Sequence, residues 1–229
     1  MIDLEPYKQQ AAIQAVTHVR SGMAVGLGTG STAKYAILEI GRLMRENKLS
    51  AIVGVPTSDA SAKLAQENGI PVAELTAAGV DVAIDGADEI DPNLDLIKGH
   101  GGALVREKLV EFNAKLFIVV ADSSKLVTQL GEKVSVPVEI MQWGYKATMI
   151  QLAAVAPQVQ VRQHIKDGQA VISDNRNYIA HCTFTEIKNA RDLDDRIRFI
   201  PGVVGTGLFL GLAKIAYVAG ENGVVKLKR

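Results

Sequence analysis

The chain of 229 residues has a single cysteine, few aromatic side chains and no excess charge of either sign. Its one cysteine, Cys182, excludes an internal disulfide and favours a reducing compartment. Lysine and arginine together number 25, as do aspartate and glutamate, so the broad basic surface of a nucleic-acid-binding protein is missing. No nucleic-acid partner is therefore expected.

Long apolar runs are missing as well. No uninterrupted apolar run approaches the roughly 20 residues that a membrane-spanning helix needs. Residues 1–20 are charged and amphipathic, unlike a signal peptide, which has a basic end followed by an apolar run. Apolar residues nevertheless make up 48% of the chain and charged residues 22%, which is typical of a folded protein with a sizeable core. We expect a soluble, cytoplasmic protein with no membrane partner.

Short apolar runs alternate with helical patterns over the first half of the chain. The predicted strands are residues 23–27, 51–55, 80–84 and 116–120, and the predicted helices are residues 7–19, 33–46, 60–68 and 104–112. Strands that alternate with helices indicate crossover connections and a parallel sheet with helices on both faces. In such sheets ligands bind at the carboxyl ends of the strands, so the loops that leave those ends are the candidate binding loops.

Beyond about Lys125 the pattern changes to hairpin-linked strands with two helices. The predicted strands are residues 134–140, 159–162, 169–172 and 178–183, the predicted helices are residues 144–154 and 189–198, and a last hairpin covers residues 215–227. The predicted fold class is α/β, with a Rossmann-like parallel-sheet domain and a second, smaller α+β (ferredoxin-like) domain. The first domain comprises residues 1–130 and is completed by residues 205–229, and the second comprises residues 131–204.

The first candidate binding loop is Gly28-Thr29-Gly30-Ser31-Thr32, between a predicted strand and a predicted helix. Its glycines let the backbone approach a ligand, and its N–H groups lie at a helix N-terminus, where anions bind. It lacks the lysine of a nucleotide-binding P-loop, and the acid that a dinucleotide site needs after the second strand is missing as well. A small phosphate monoester fits the three hydroxyls better. A plain helix cap with a tight turn is the alternative.

The second candidate is a cluster of acids that follows the strand at residues 80–84. Asp85 and Asp88 can both face a ligand if the chain turns at Gly86-Ala87. Neighbouring carboxylates raise each other's pKa, which suits proton transfer, and paired carboxylates also suit Mg²⁺. Glu89 and Asp91 are expected to be solvated and to take no part.

The third candidate combines a glycine-rich turn with the helix that follows it. Lys98 brings positive charge for a phosphate or a developing oxyanion, and Glu107, one turn into the helix on its apolar side, suits a general base. A surface pair with neighbouring basic side chains is the alternative for Glu107. His100 could be a ligand or an acid, although a lone histidine in such a loop is more often neither. Lys125, after the fourth strand, is either a second cation or a solvated loop residue.

Several short motifs, in this order along nearly the whole chain, resemble those of the type A ribose-5-phosphate isomerases. The motifs are Gly26–Thr32, Asp85–Ile90, Ile97–Gly99, Arg106–Lys108, Pro137–Glu139, Asp174–Asn177 and Ile200–Val204. The resemblance implies a metal-independent aldose–ketose isomerase without a cofactor, assembled as a homodimer or a dimer of dimers. One departure falls inside the site, because His100 stands where the family commonly has the second of three glycines after the lysine. That residue puts the width of the pocket in doubt.

The resemblance also implies the residues that act on the substrate. Glu107 would accept the proton, Asp85 and Asp88 would assist ring opening, and Lys98 or Lys125 would stabilise the enediolate. The substrate-binding residues that it implies are Thr29, Gly30, Ser31, Thr32, Asp85, Gly86, Ala87, Asp88, Lys98, Gly99, His100, Gly101 and Lys125. The expected substrates are ribose 5-phosphate and ribulose 5-phosphate. A sugar-phosphate sensor without turnover and a magnesium-dependent phosphatase are the alternatives.

Overall fold

The structure, a computed structural model, describes residues 3–161 and 168–229 of the chain. The chain divides into two compact units, each assembled from separate segments. The first unit contains Met1–Ala87, Arg106–Lys125 and Gly211–Arg229, and the second contains Asp88–Val105 and Leu126–Leu210. This division differs from the sequence-based one, which kept residues 88–105 in the first domain.

Thirteen strands and six α-helices are seen in the described part of the chain. The strands are β1 (Ala24–Leu27), β2 (Val53–Pro56), β3 (Val80–Asp85), β4 (Glu89–Ile90), β5 (Leu96–Ile97), β6 (Ala114–Asp122), β7 (Val136–Ile140), β8 (Gln158–Val161), β9 (Tyr178–Thr183), β10 (Val203–Thr206), β11 (Leu208–Phe209), β12 (Ile215–Gly220) and β13 (Gly223–Lys228). The helices are α1 (Glu5–Val16), α2 (Ala33–Arg45), α3 (Asp59–Glu67), α4 (Leu104–Phe112), α5 (Tyr145–Ala153) and α6 (Ala190–Arg198). No helix among the described residues is long and apolar enough to cross a membrane.

The first unit is built on a six-stranded sheet in the order β13-β12-β6-β3-β1-β2. Neighbours from β12 to β2 are parallel, and β13 is an antiparallel edge strand. Buried residues of the sheet, such as Val25, Ile84 and Ile118, share one core with Ala11 and Ala15 of α1 and Ile37 of α2. The mixed α/β fold with a central parallel sheet, predicted from the alternating pattern, is confirmed.

The order of these strands creates a topological switch point. From β1 the chain crosses to β2 on one side, and from β2 it returns past β1 to β3 on the other side. The loops that leave β1 and β3 therefore diverge at one edge of the sheet, where a crevice for a ligand forms. The register of β1 against β3 brings the ends of the two strands to the same edge, because Leu27 at the end of β1 pairs with Ile84 near the end of β3.

The second unit contains an antiparallel sheet in the order β10-β7-β9-β8, with α5 and α6 in the β-α-β-β-α-β sequence of the ferredoxin-like fold. Its core joins Val138 and Ile140 of β7 with Ala180 and Cys182 of β9 and Leu152 of α5. The expectation of a small ferredoxin-like α+β domain is therefore confirmed by the order of the elements and the strand order of the sheet. A separate three-stranded sheet, β11-β5-β4, belongs to this unit as well. Because β4 and β5 pair with β11, residues 88–105 fall in the second unit.

Some sequence-based elements are wrong or displaced. Residues 169–172 form no strand and make only isolated bridges, one at Ala170 and one from Ile172 to Tyr178. Strand β8 pairs with β9 only from Ala180 to Thr183, and Ile172 bridges Tyr178 beyond the end of that pairing. The first helix ends at Val16 instead of residue 19, and there the Thr17 hydroxyl donates to the Gln14 carbonyl. Arg162, predicted to end a strand, lies outside the described residues.

Two carboxylates are buried inside the second unit. Glu89 is fully buried and accepts hydrogen bonds from the backbone N–H groups of Gly131 (2.6 Å) and Val134 (2.9 Å). The expectation that Glu89 is solvated is therefore wrong, because its side chain closes a loop that lies more than 40 residues further along the chain. Glu139 is also fully buried, and one of its oxygens accepts from Ser173, at 3.0 Å, and from the amide groups of two asparagines.

The turn at residues 173–177 provides a test of this buried carboxylate. Asn177→Ala removes a donor at 2.9 Å from Glu139, so we expect the free energy of unfolding to fall by about 1.5–3 kcal/mol, the usual range for hydrogen bonds to charged groups. The measurement is urea denaturation followed by far-UV circular dichroism.

A neighbour in the same turn is the matched control. Arg176 has a φ of +61°, which strains any residue but glycine, while its backbone contacts survive substitution. Arg176→Gly should leave the free energy of unfolding unchanged or raise it by up to about 1 kcal/mol. Equal losses in the two variants would contradict a specific role for the amide of Asn177.

Candidate active site

The loop between β1 and α2 lies at the switch point of the first unit. The Gly28 N–H donates to the Ile84 carbonyl at 3.0 Å, which continues the pairing of β1 with β3 into the loop. Gly30 has a φ of +107°, a conformation that favours glycine and turns the chain into α2. Gly30 and Ser31 are exposed, and Thr32, at the N-cap, makes no capping hydrogen bond with its side chain. The first N–H groups of α2 thus lie where an anion can bind.

Asp85, the last residue of β3, is held by this loop. Its side chain is 1% exposed, and Oδ1 accepts from the N–H groups of Thr29 (3.0 Å) and Gly86 (2.6 Å). A Cβ at Gly28 would lie 2.2 Å from that same oxygen, so only glycine leaves room for the carboxylate. The structure therefore brings together the predicted residues Thr29, Asp85 and Gly86. It also gives Gly28 a role that the sequence did not reveal.

The hydroxyl of Thr29 contacts two hydroxyl groups that follow β2. Its Oγ1 lies 2.7 Å from the hydroxyl of Thr57 and 2.8 Å from that of Ser58, both at the end of β2. Thr57 is 1% exposed and donates to the Leu27 carbonyl at 3.0 Å, while Ser58 caps α3 together with Ser61. Thr29 therefore acts through its N–H group and positions Asp85. The polar run after β2 was the only signal in the sequence for Thr57 and Ser58.

Glu107 lies in the first unit on α4, which begins at the predicted residue. Its side chain is 3% exposed, so the alternative of a surface pair is wrong, and the neighbouring Arg106 instead pairs with Asp59 at 2.7 Å. Gly26 of β1 lies so close to α4 that a Cβ there would be 2.6 Å from Val110. Glu107 is one turn before Val110 on the same face of the helix, toward the carboxyl ends of the strands.

Other predicted residues of the first unit lie at the same edge of the sheet. Gly86 and Ala87 are half-buried directly after β3. Lys125 is half-buried in the 3₁₀ turn Ser123–Lys125 after β6, and Asp122 shapes this turn by accepting the N–H of Ser124 at 3.0 Å.

The second unit holds the remaining predicted residues in a loop after β5. Lys98 is 2% exposed; its N–H donates to the Gly207 carbonyl at 2.9 Å, and its Nζ lies 5.4 Å from the centre of the Phe209 ring. Gly99 has a φ of +100°, and a side chain there would collide with Leu104. The N–H of His100 donates to Asp88 Oδ2 at 3.1 Å. Asp88, Lys98, Gly99, His100 and Gly101 thus form one constellation within this unit.

The same residues bear on the possibility of a metal site. Across residues 3–161 and 168–229, no group of three histidine, cysteine, aspartate or glutamate side chains is arranged to hold a metal ion. The fixed donors at these carboxylates are N–H groups, which stabilise a negative charge on the side chain itself.

Comparison with known proteins identifies the family. The family model for ribose 5-phosphate isomerase A (phosphoriboisomerase A) matches residues 53–223, well over half of the chain. The chain belongs to the ribose 5-phosphate isomerase A family. A curated member of the family from Deinococcus radiodurans is 52% identical over 228 residues, which cover 100% of both chains. Another member, from Pyrococcus abyssi, is 42% identical over 229 residues and also covers 100% of both chains.

Solved structures of this family have the same fold over the whole chain. A D-ribose-5-phosphate isomerase in complex with phospho-erythronic acid is 41% identical, covers 100% of both chains and has a TM-score of 0.95. The ribose 5-phosphate isomerase from Plasmodium falciparum is 39% identical, covers 98% of this chain and 99% of its own, and has a TM-score of 0.94. The sequence-based assignment to the family and the predicted fold class are both confirmed.

The hydroxyl cluster formed by Thr29, Thr57 and Ser58 provides a test of how Asp85 is held. In Thr57→Val the carbonyl of Leu27 and the hydroxyl of Thr29 each lose a partner, so we expect the free energy of unfolding to fall by about 1–3 kcal/mol. Isomerase turnover should fall several-fold, because the loop whose N–H groups hold Asp85 is loosened. Chemical denaturation and steady-state kinetics measure the two effects.

Thr57→Ser is the matched control, because it keeps the hydroxyl and removes only a methyl group. We expect turnover within about two-fold of the wild type for this variant. If valine and serine have the same effect on turnover, the hydroxyl of Thr57 has no part in holding the loop.

Proposed function

We propose that this chain interconverts D-ribose 5-phosphate and D-ribulose 5-phosphate through a cis-enediolate, with Glu107 as the group that carries the proton. Membership of the isomerase family supports the reaction. The observation that supports the assignment of the base is the burial of Glu107, 3% exposed, on the face of α4 that packs against β1. The reaction belongs to the non-oxidative branch of the pentose phosphate pathway.

The chemistry follows from the residue types. Ring opening moves a proton from the O1 hydroxyl to the ring oxygen O4 of the sugar, and a carboxylate held by fixed donors can accept and return it. We assign this step to Asp85, held by Thr29 and Gly86, and to Asp88, held by the N–H of His100. Glu107 then removes the proton from C2 and returns it to C1, while a second proton passes from the O2 hydroxyl to O1. The aldose thereby becomes the ketose without net transfer of electrons to the protein.

The two lysines receive different roles in this proposal. Lys98 is 2% exposed beside the ring of Phe209, and a cation in such surroundings acts strongly on a developing oxyanion. We assign it to the enediolate oxygen. Lys125 is half-buried in a turn at the carboxyl edge of the sheet and is assigned to the phosphate of the substrate.

The phosphate has a second partner in the loop after β1. Gly30, Ser31 and Thr32 lie at the N-terminus of α2, whose N–H groups and dipole favour an anion. Thr29 contributes through its N–H to Asp85, as described above. The other predicted contacts with the sugar, Gly86, Ala87 and residues 99–101, are backbone contacts in this proposal.

We also propose a homodimer in the cytoplasm. The second unit exposes large apolar side chains, with Trp143 and Phe199 each 87% exposed, and such residues are typical of contact surfaces between proteins. The single cysteine supports a reducing compartment, because Cys182 is a buried thiol and burial raises its pKa to about 12. Size-exclusion chromatography with light scattering tests the dimer.

Replacement of the proposed base provides the test of the mechanism. Glu107→Gln keeps the shape of the side chain and removes the proton acceptor, so kcat should fall by about 10²–10⁴-fold while KM changes little. Glu111→Gln is the matched control, since Glu111 is also buried on α4, one turn further along. We expect kcat within a few-fold of the wild type for the control. A Glu107→Gln variant that is folded and retains most of its turnover would refute the assignment of the base.

The need for a metal separates the isomerase from the phosphatase that the sequence left open. We expect folded protein in excess EDTA to convert ribose 5-phosphate at an undiminished rate and to release no inorganic phosphate. Restoration of lost turnover by Mg²⁺, together with release of phosphate, would favour the phosphatase. Binding of ribose 5-phosphate without any conversion would favour the sensor. The comparisons with known proteins support neither alternative.

A further inference from the structure

The imidazole of His100 is anchored to the second unit. Its Nε2 lies 2.9 Å from the backbone carbonyl oxygen of Ser135. A carbonyl can only accept, so Nε2 carries the hydrogen and the imidazole is the donor. Ser135 directly precedes β7, so the bond joins the loop after β5 to the start of a strand in the four-stranded sheet.

A second histidine fixes the orientation of this ring. His181, in β9, meets the His100 ring edge-on, with 4.9 Å between the ring centres and 64° between the ring planes. Nδ1 of His181 lies 2.8 Å from the hydroxyl of Ser135. Ser135 therefore contacts both histidines, His100 through its carbonyl and His181 through its hydroxyl. Pairing of Pro137 with His181 in adjacent strands holds these groups on a rigid support.

His100 lies in the middle of a glycine-rich loop. Gly99 and Gly102 both have positive φ angles, and such glycines give a chain many conformations to lose on ordering. Two backbone hydrogen bonds fix the ends of the loop. The N–H of Lys98 donates to the carbonyl of Gly207, which directly precedes β11, and the N–H of Gly102 donates to the carbonyl of Gly99. The side chain of His100 provides an anchor between these ends.

The same residue touches one of the proposed catalytic groups through its backbone. The N–H of His100 donates to Asp88 Oδ2 at 3.1 Å, and the Asp88 N–H donates to the Ile97 carbonyl at 2.8 Å. The carboxylate of Asp88 is therefore oriented by an N–H group that belongs to the glycine-rich loop. A loop that moves would carry this donor with it.

We propose that His100 is a positioning residue, whose imidazole latches the loop to the Ser135 carbonyl and thereby fixes the N–H that orients Asp88. This inference rests on the proposed function for the role of Asp88. It also answers the question that the sequence raised. The imidazole is directed to Ser135 in the second unit, so a histidine can stand where the family commonly has glycine without its side chain acting as a substrate ligand.

Substitution of His100 tests the latch with a conservative rescue. His100→Ala should lower kcat by about 3–10-fold, the effect of losing one neutral hydrogen bond. His100→Gln should restore kcat to within about two-fold of the wild type, because its amide nitrogen can take the place of Nε2. A glutamine variant no more active than the alanine variant would overturn the proposal.

A double-mutant cycle with Asp88 tests whether His100 acts through that carboxylate. Asp88→Ala removes the group to be oriented, so the addition of His100→Ala should cause little further loss of kcat. If His100→Ala lowers kcat by the same factor in both backgrounds, His100 acts elsewhere and the proposal is wrong. Ser135→Ala is the control, since it keeps the backbone carbonyl and should remain within about two-fold of the wild type. A loss equal to that of His100→Ala would assign the latch to the Ser135 hydroxyl instead and overturn the proposal.

Hydrogen exchange makes the result independent of the proposed function. We expect the amides of residues 98–102 to exchange faster in His100→Ala than in the wild type, and the glutamine variant to reverse the change. Unchanged exchange in the alanine variant would overturn the latch even if turnover fell. A wild-type protein that does not convert ribose 5-phosphate would refute the proposed function, whereas the exchange experiment would still decide the latch.

Discussion

The carboxylate of Asp85 sets the geometry of the first unit's ligand-facing edge. A buried charge at the end of a strand needs fixed donors, and here they are the N–H groups of Thr29 and Gly86. These donors reach Oδ1 only because Gly28 has no side chain. The loop after β1 is then forced close to β3, and it carries its remaining N–H groups toward the N-terminus of α2. The close approach of Gly28 to Asp85 therefore both orients the carboxylate and shapes the candidate anion site.

The strand order gives this contact its importance. Because β1 lies between β2 and β3, the loops from β1 and β3 part at the carboxyl edge and leave space for a ligand. Thr57, which follows β2, supports this loop through a hydrogen bond between its hydroxyl and that of Thr29. Three neighbouring parallel strands thus contribute to one arrangement, in which Thr29 contacts Asp85 through its N–H and the hydroxyl cluster through its side chain.

The sequence was informative where structure follows from local pattern. Buried parallel strands read as short apolar runs, so β1, β2, β3 and β6 were predicted within a few residues, and α4 was predicted at its observed bounds. The two-residue strands β4, β5 and β11 have no periodicity, and β5 pairs with residues about 110 positions further along the chain, in β11. The roles of Glu89 and of the Thr29 hydroxyl were missed for the same reason. Their partners, Gly131 and Thr57, are distant in sequence and cannot be read from it.

Hydrogen bonding alone does not distinguish Asp85, the carboxylate proposed to be catalytic, from a structural carboxylate in this protein. Asp85 and Glu89 both accept two or more backbone N–H groups, and both are buried. The different roles proposed for them follow from position. Asp85 ends a parallel strand at the switch point, where the backbone diverges and a ligand can enter, whereas Glu89 begins a short strand and closes a loop of its own unit. Because parallel strands reveal their ends in the sequence, Asp85 could be selected as a site residue before any contact was known. The N–H groups that hold the Asp85 carboxylate could be identified only from the folded structure.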